Sequence, residues 1–199
     1  MTNAPGLAQR KRQFVRDELA RETLRLLATQ GYEATTVEQV TDAVGVSRRT
    51  FFRYFQSKED VIVQAVTDKG AVLAADFEAR PADEAASAAL HHALTPLVNQ
   101  DPADPERMLR LTQLILRTPA LHGRYLERQA QWKTALTSVL AQRTGRAATD
   151  MGLQLAAGMT LVAFHTALTR WADGDGTEIL ADLFDEAFTL VAPAVDAIC

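Results

Sequence analysis

Thiols are all but missing from this chain: Cys199 is its one cysteine, so no intrachain disulfide and no multi-cysteine metal site can form. Motifs that would announce an enzyme are missing too. There is no His-x-x-x-His pair, no phosphate-binding glycine loop and no nucleophile elbow, so no catalytic residue, metal or cofactor is expected. His91 and His92 are adjacent, and on a helix they point about 100° apart, which is poor geometry for one shared metal. The basic run Arg10, Lys11 and Arg12 is followed by no apolar stretch of signal-peptide length, so a cytoplasmic protein is expected. The most apolar run, Leu153 to Leu168, is interrupted by Gln154, Thr160, His165 and Thr166. It reads as too short for a bilayer and as a buried helix.

Overall positive charge is also lacking. At a net −4 the chain is no indiscriminate binder of nucleic acid. The average hides an asymmetry, since residues 1 to 58 carry ten Lys/Arg against six Asp/Glu and the remainder carries eleven against nineteen. The first segment is therefore where phosphate contact is expected.

No segment alternates apolar and polar residues as a half-buried strand would, and an all-α fold of nine helices is expected. The first spans about Lys11 to Gln30 and stops in a left-handed cap at Gly31. Two short ones, Val37 to Val44 and Arg48 to Tyr54, flank Gly45-Val46-Ser47. A long one begins at Ser57, whose side chain forms a capping box with Asp60. Pro81 opens the fifth. Asp104 and Pro105 start the sixth, to Arg117, and Thr118-Pro119 starts a long seventh, to Thr144. The last two cover Asp150 to Ala172 and Thr177 to Ala192, the latter ending near Pro193.

Residues 36 to 53 have the spacing of a helix-turn-helix. Val40, Val44, Val46 and Phe51 point inward, Thr41 is small enough for close helix approach, and Gly45 turns the corner in a conformation cheap only without a β-carbon. Ser47 caps the second helix. That helix carries Arg48, Arg49, Thr50 and Arg53 beside Phe52 and Tyr54, the mixture that reads a major groove. Each arginine could grip guanine or phosphate. Thr36 and Lys58 sit at helix N-termini, where a phosphate is favoured. Arg10 to Arg12 could enter a minor groove or remain a solvated terminus.

These residues carry a resemblance. Gly31-Tyr32, Ala34-Thr35-Thr36-Val37, Gly45-Val46-Ser47, Thr50 through Phe55 and Ser57-Lys58-Glu59-Asp60 resemble the TetR family of repressors. The resemblance implies a two-domain architecture: a DNA-binding domain over 1–56 and a ligand-binding and dimerisation domain over 57–199. It also implies DNA contacts from Thr36, Arg48, Arg49, Thr50, Tyr54 and Lys58. Phe52 stands where the family often has tyrosine, so no phosphate hydrogen bond can come from that ring. Thr118-Pro119-Ala120-Leu121 with Arg124 through Gln129 resembles a subgroup that includes mycofactocin-type regulators, which implies an amphipathic or acyl-CoA-like ligand.

Tyr125, Arg128 and Trp132 recur on one side of the seventh helix, and with Arg110, Gln113, Met159 and His165 they could line a pocket or make plain interhelical contacts. The last two helices are broadly apolar. Gly152, Ala156 and Ala163 allow close approach, and Ile179, Leu183, Phe184, Ala187 and Val191 form a stripe. Pairing with a second copy would bury the excess, as the resemblance also implies. The expectation is a ligand-responsive regulator that binds double-stranded operator DNA as a homodimer. The alternatives are a helical protein-interaction module or a small-molecule enzyme.

Overall fold

The computed structural model describes residues 6–67, 70–99 and 105–199. They contain ten helices and, among the described residues, no strand. The chain divides into two compact units, Met1–Ala65 and Val66–Cys199.

The first unit is built on α1 (Leu7–Gln30), α2 (Val37–Val44), α3 (Arg48–Tyr54) and the start of α4 (Lys58–Thr67). Leu19, Leu26, Val40, Phe51, Phe55 and Val61 form its core, with Val15, Val37, Val44, Val46 and Tyr54 packed on the edge. Val61 brings the first turns of α4 into this core, so the compact unit runs on past residue 56 to Ala65. α1 ends at Gly31, whose N–H reaches Leu27 O at 3.0 Å. Its φ of 83° and ψ of 173° are not the left-handed helical cap expected but an extended conformation essentially reserved for glycine.

The second unit holds α5 (Gly70–Glu78), α6 (Ala86–Val98), α7 (Pro105–Arg117), α8 (Pro119–Thr144), α9 (Met151–Asp173) and α10 (Leu180–Ile198). Its core includes Phe77, Leu90, Leu94, Leu121, Leu136, Leu140, Leu153 and Phe184, all fully buried. One long helix from Ser57 was expected where α4 and α5 stand. Two helices are described there, one ending at Thr67 and the next starting at Gly70, and residues 68 and 69 lie outside the described residues, as does the expected cap Asp104.

Two further expectations are corrected. Pro81 does not open a helix; α6 starts at Ala86. The turn before it is held by Arg143, which donates to the carbonyls of Arg80, Pro81 and Glu84 at 3.1, 2.7 and 3.1 Å, while Arg80 and Glu84 pair bidentately at 2.7 Å. Nor does Pro193 end the last helix, which runs on to Ile198. An interior proline removes a helical hydrogen bond, but tertiary contacts beyond it hold the helical course. Val195 is fully buried, Asp196 accepts from Ser87 N and Oγ at 2.9 and 2.7 Å, and Ile198 O accepts from Arg146 at 2.6 Å.

α9 runs longer than the apolar stretch read from sequence. At 23 residues it is long and apolar enough to cross a membrane by length and composition, yet half of its most apolar window is buried inside the protein.

Candidate nucleic-acid interface

Local chemistry builds the helix-turn-helix. Thr36 caps α2 in a full capping box: its Oγ1 accepts from Gln39 N at 3.3 Å and the Gln39 side chain accepts from Thr36 N at 2.9 Å. Gly45 closes α2 in the left-handed region, φ 73° and ψ 35°, a conformation that costs a side-chain-bearing residue about 1 kcal/mol or more. Val46 N then bonds back to Thr41 O at 3.0 Å. Ser47 caps α3, accepting from Thr50 N at 3.2 Å. Thr41 is buried and turns its hydroxyl onto Glu38 O at 3.0 Å, so a polar side chain sits in the α2 interface without an unmet hydrogen bond.

This frame pins α3 by Phe51 and leaves Ser47, Arg48, Arg49, Phe52 and Arg53 exposed, with Thr50 and Tyr54 half-buried. The guanidinium groups differ. Arg53 stacks on the Tyr54 ring at 4.9 Å and donates to its hydroxyl at 3.1 Å. Arg48 pairs with Glu38 of α2 at 2.7 Å and lies 6.0 Å from the Phe52 ring centroid. Among the described residues no hydrogen bond or ion pair holds Arg49, which projects alone. Glu38 is the residue sequence reasoning missed, because only the angle between α2 and α3 brings positions ten apart together.

Lys58 is the first residue of α4, at the helix start where it was expected, and its ammonium group is engaged within the unit. Its Nζ donates to the carbonyls of Tyr32 and Thr35, both at 2.8 Å, and lies 4.2 Å from the Tyr32 ring centroid. Beside it Tyr32 OH donates to Glu59 at 2.6 Å. Burial pushes the Tyr32 hydroxyl pKa up, and the Glu59 carboxylate pushes it further. Burial also pushes Glu59 up, but hydrogen bonds from Tyr32 and Ser57 outweigh it and hold the carboxyl below its ordinary range. The first turn of α4 thus clamps the turn between α1 and α2. The capping box at its start is modified: Ser57 accepts from Asp60 N at 3.3 Å, while Asp60 reaches back to Gln56 N at 3.1 Å.

Replacing Lys58 by methionine keeps the stem and removes the two charged hydrogen bonds. The expected loss is about 1–3 kcal/mol of stability, read as a lowered melting temperature, with the salt slope of DNA binding unchanged. A slope smaller by about 1 would mark Lys58 as a phosphate contact instead.

In the second unit the seven residues expected to line a pocket do not converge. Arg110 is exposed and pairs with Glu106 at 3.2 Å. Gln113 clamps the end of α9, donating to Ala172 O at 2.8 Å and Asp175 Oδ1 at 2.9 Å. Trp132 is buried with its ring edge-on to Phe164. Arg128 is half-buried on α8. Tyr125 and His165 do meet. The buried Tyr125 hydroxyl accepts from Gln129 at 2.5 Å and lies 3.4 Å from His165 Nδ1, with the His122 ring 6.1 Å from His165. Burial, then the His122 charge, pushes the His165 pKa down, and burial pushes the Tyr125 hydroxyl up. Thr112 Oγ1, His122 Nδ1 and Thr169 Oγ1, one each from α7, α8 and α9, are buried without a hydrogen-bond partner. His165 also lines a groove of about 270 Å³ on α8 and α9, and Met159 lines a neighbouring one of about 450 Å³ with Leu155, Val162 and Val191.

Among the residues expected at a dimer interface, Ala156, Ala163, Leu183 and Phe184 are buried within the chain, because this side of α9 and α10 is where the two helices pack on each other and on the core. Gly152 is small for an internal reason: a β-carbon there would lie 2.8 Å from Ile198. Ile179 is exposed, and Ala187 and Val191 are half-buried. The exposed apolar side chains lie a quarter-turn away, at Met151 (85% exposed), Leu155 (54%), Val162 (63%) and Leu190 (81%). No cluster of His, Cys, Asp and Glu able to hold a metal occurs among the described residues. His91 and His92 turn to separate acids, Asp185 and Glu84, at 2.7 and 2.9 Å.

A capped, arginine-bearing helix held out over a glycine corner, in an all-helical chain that also carries a second helical unit, defines a helix-turn-helix DNA-binding regulator. Residues 19–65 match the model of bacterial regulatory proteins of the tetR family, and residues 84–196 match the MftR C-terminal domain. The chain belongs to the TetR family of transcriptional regulators. It is 38% identical over 149 residues to the regulator TcmR of Streptomyces glaucescens, over 72% of this chain and 66% of that one. MftR of Mycobacterium tuberculosis is 25% identical over 94% of both chains. Among solved structures, FadR of Thermus thermophilus, a TetR family repressor in complex with lauroyl-CoA, has a similar fold (TM-score 0.59, 21% identity, 88% of this chain and 92% of that one). So does FadR of Bacillus subtilis in complex with stearoyl-CoA (TM-score 0.57, 19% identity, 89% and 98%).

Proposed function

We propose that this chain is a ligand-responsive repressor that binds a pseudo-palindromic operator as a homodimer and is released by a small molecule. The observation that carries the DNA half of the reading is the exposed N-terminal face of α3, where Arg49 has no partner among the described residues. Two such helices, one per protomer, enter successive major grooves. Residues 1–56 make the DNA contacts. The rest binds ligand and pairs the protomers through the exposed apolar side of α9 and α10. The protein acts in the cytoplasm and has no catalytic step.

Support for a ligand comes from the partnerless polar atoms of α7, α8 and α9. Each buried, unmatched group costs about 1–3 kcal/mol, and a polar ligand that met them would recover that cost. The acyl-CoA complexes of the two FadR proteins make an amphipathic molecule the class to try first. Its affinity and that of operator DNA must oppose each other by the same factor, because both act on one equilibrium.

The test is selection of bound duplexes from random DNA, with and without an acyl-CoA. An inverted repeat should emerge and be lost with ligand. Arg49→Ala should cost about 1–3 kcal/mol and relax preference at one base pair of each half-site. A loss uniform across sequences would place Arg49 on phosphate. No enriched sequence at all would return the chain to the interaction-module reading.

A further inference from the structure

Glu38 lies on the wrong side of the charge ledger for its position. It is the second residue of α2, pairs with α3 and stays exposed beside the arginines at the start of the helix read as entering the groove. A carboxylate there repels phosphate, yet its Oε1 is 2.7 Å from Arg48 Nη1. We propose that Glu38 is a specificity-determining residue that acts through Arg48, holding its guanidinium for a base and keeping it from the phosphate backbone. The inference rests on the reading of α3 as the groove-entering helix.

The geometry gives the reason. Arg48 is the first residue of α3, and a long side chain at a helix start has many rotamers. Two contacts restrict it: Glu38 on Nη1, and the Phe52 ring 6.0 Å from Cζ, itself set edge-on against the buried Phe51 ring at 5.4 Å. With Nη1 occupied, the Nε and Nη2 edge carries no partner among the described residues. Those are two parallel donors, the arrangement that meets guanine O6 and N7 together. A phosphate taking the same edge would bring its negative charge up to the Glu38 carboxylate and be repelled by it, whereas a neutral guanine would not. Contact with an arbitrary sequence is thus penalised while contact with the correct base is not. An exposed pair of this kind adds little to folding stability, so its effect should appear in discrimination.

The experiment uses the full chain, the operator duplex selected by the wild-type protein, and a shuffled duplex of the same composition, in a salt series. Glu38→Gln keeps size and removes charge. Its operator-to-shuffled affinity ratio should fall about tenfold, the scale of one base contact. The salt slope on shuffled DNA should steepen by about 0.9 for each arginine released to phosphate. In the Arg48→Ala background the same substitution should leave the ratio unchanged, since the group it acts through is gone. An unchanged ratio for Glu38→Gln alone overturns the proposal, with selection by the wild type still supporting the regulator. An equal fall in the Arg48→Ala background also overturns it, making Glu38 an independent charge or a base reader. If the wild type selects no operator, the proposal and the functional reading fall together.

Discussion

Phe51→Ala is expected to cost about 3–5 kcal/mol and to remove sequence-specific DNA binding, although the ring touches no DNA. Phe51 is fully buried, with Phe52 and Phe55 around it at 5.4 and 5.6 Å, in the core that joins α1, α2, α3 and α4. α3 is only seven residues long, far too short to be helical alone, so its helicity is borrowed from the packing of this ring. A unit of this size has only several kcal/mol of stability in all, and the loss is a large share of it. Thermal unfolding and binding to the selected operator should both show the effect. Phe51→Leu should lose much less, because it keeps most of the volume. Phe52→Ala, at an exposed ring next in sequence, should leave the melting temperature almost unmoved. An alanine variant at 51 that melts and binds like the wild type would mean that the orientation of α3 is set by something other than this core.

The contrast between Phe51 and Phe52 was legible in sequence, as were the cap at Ser47 and the corner at Gly45. Each depends on neighbours within four residues, and local rules govern them. Lys58 was not legible in the same way. A lysine at a helix start facing DNA reads as a phosphate clamp, but its partners are carbonyls 26 and 23 residues earlier, and nothing in the pattern of side chains says where carbonyls point. The same holds for Pro193, whose place inside α10 is secured by Asp196 meeting Ser87 across 109 residues. Periodicity identified α9 as apolar on more than one side. It could not say which side α10 would cover, so the small residues Ala156 and Ala163 were assigned to a second copy when they serve the core. In the expected pocket, helical spacing brought Tyr125 and His165 together through facing turns of α8 and α9. It failed for Arg110, whose charge is met one turn away by Glu106.

The free side of α9 leads to the second large effect. Leu155→Arg together with Val162→Arg is expected to make the protein a monomer, read by analytical ultracentrifugation, and to weaken operator binding by about 10²–10⁴-fold. Met151, Leu155 and Val162 are four and seven residues apart, so they share one face, and Leu190 of α10 is equally bare. A contiguous apolar face of this kind is rarely left to solvent in a monomer. In the proposed homodimer a second copy would meet it with the same face, since a twofold axis makes any self-complementary patch its own partner. The substitutions lie outside the chain's own core, so the melting of the isolated protomer should change little, and binding to a single half-site should persist. What disappears is the link that lets one bound α3 raise the local concentration of the other. If the double variant stays dimeric and binds the full operator, the protomers pair through another surface. If it becomes monomeric yet keeps full affinity, two coupled half-sites are not what the operator offers.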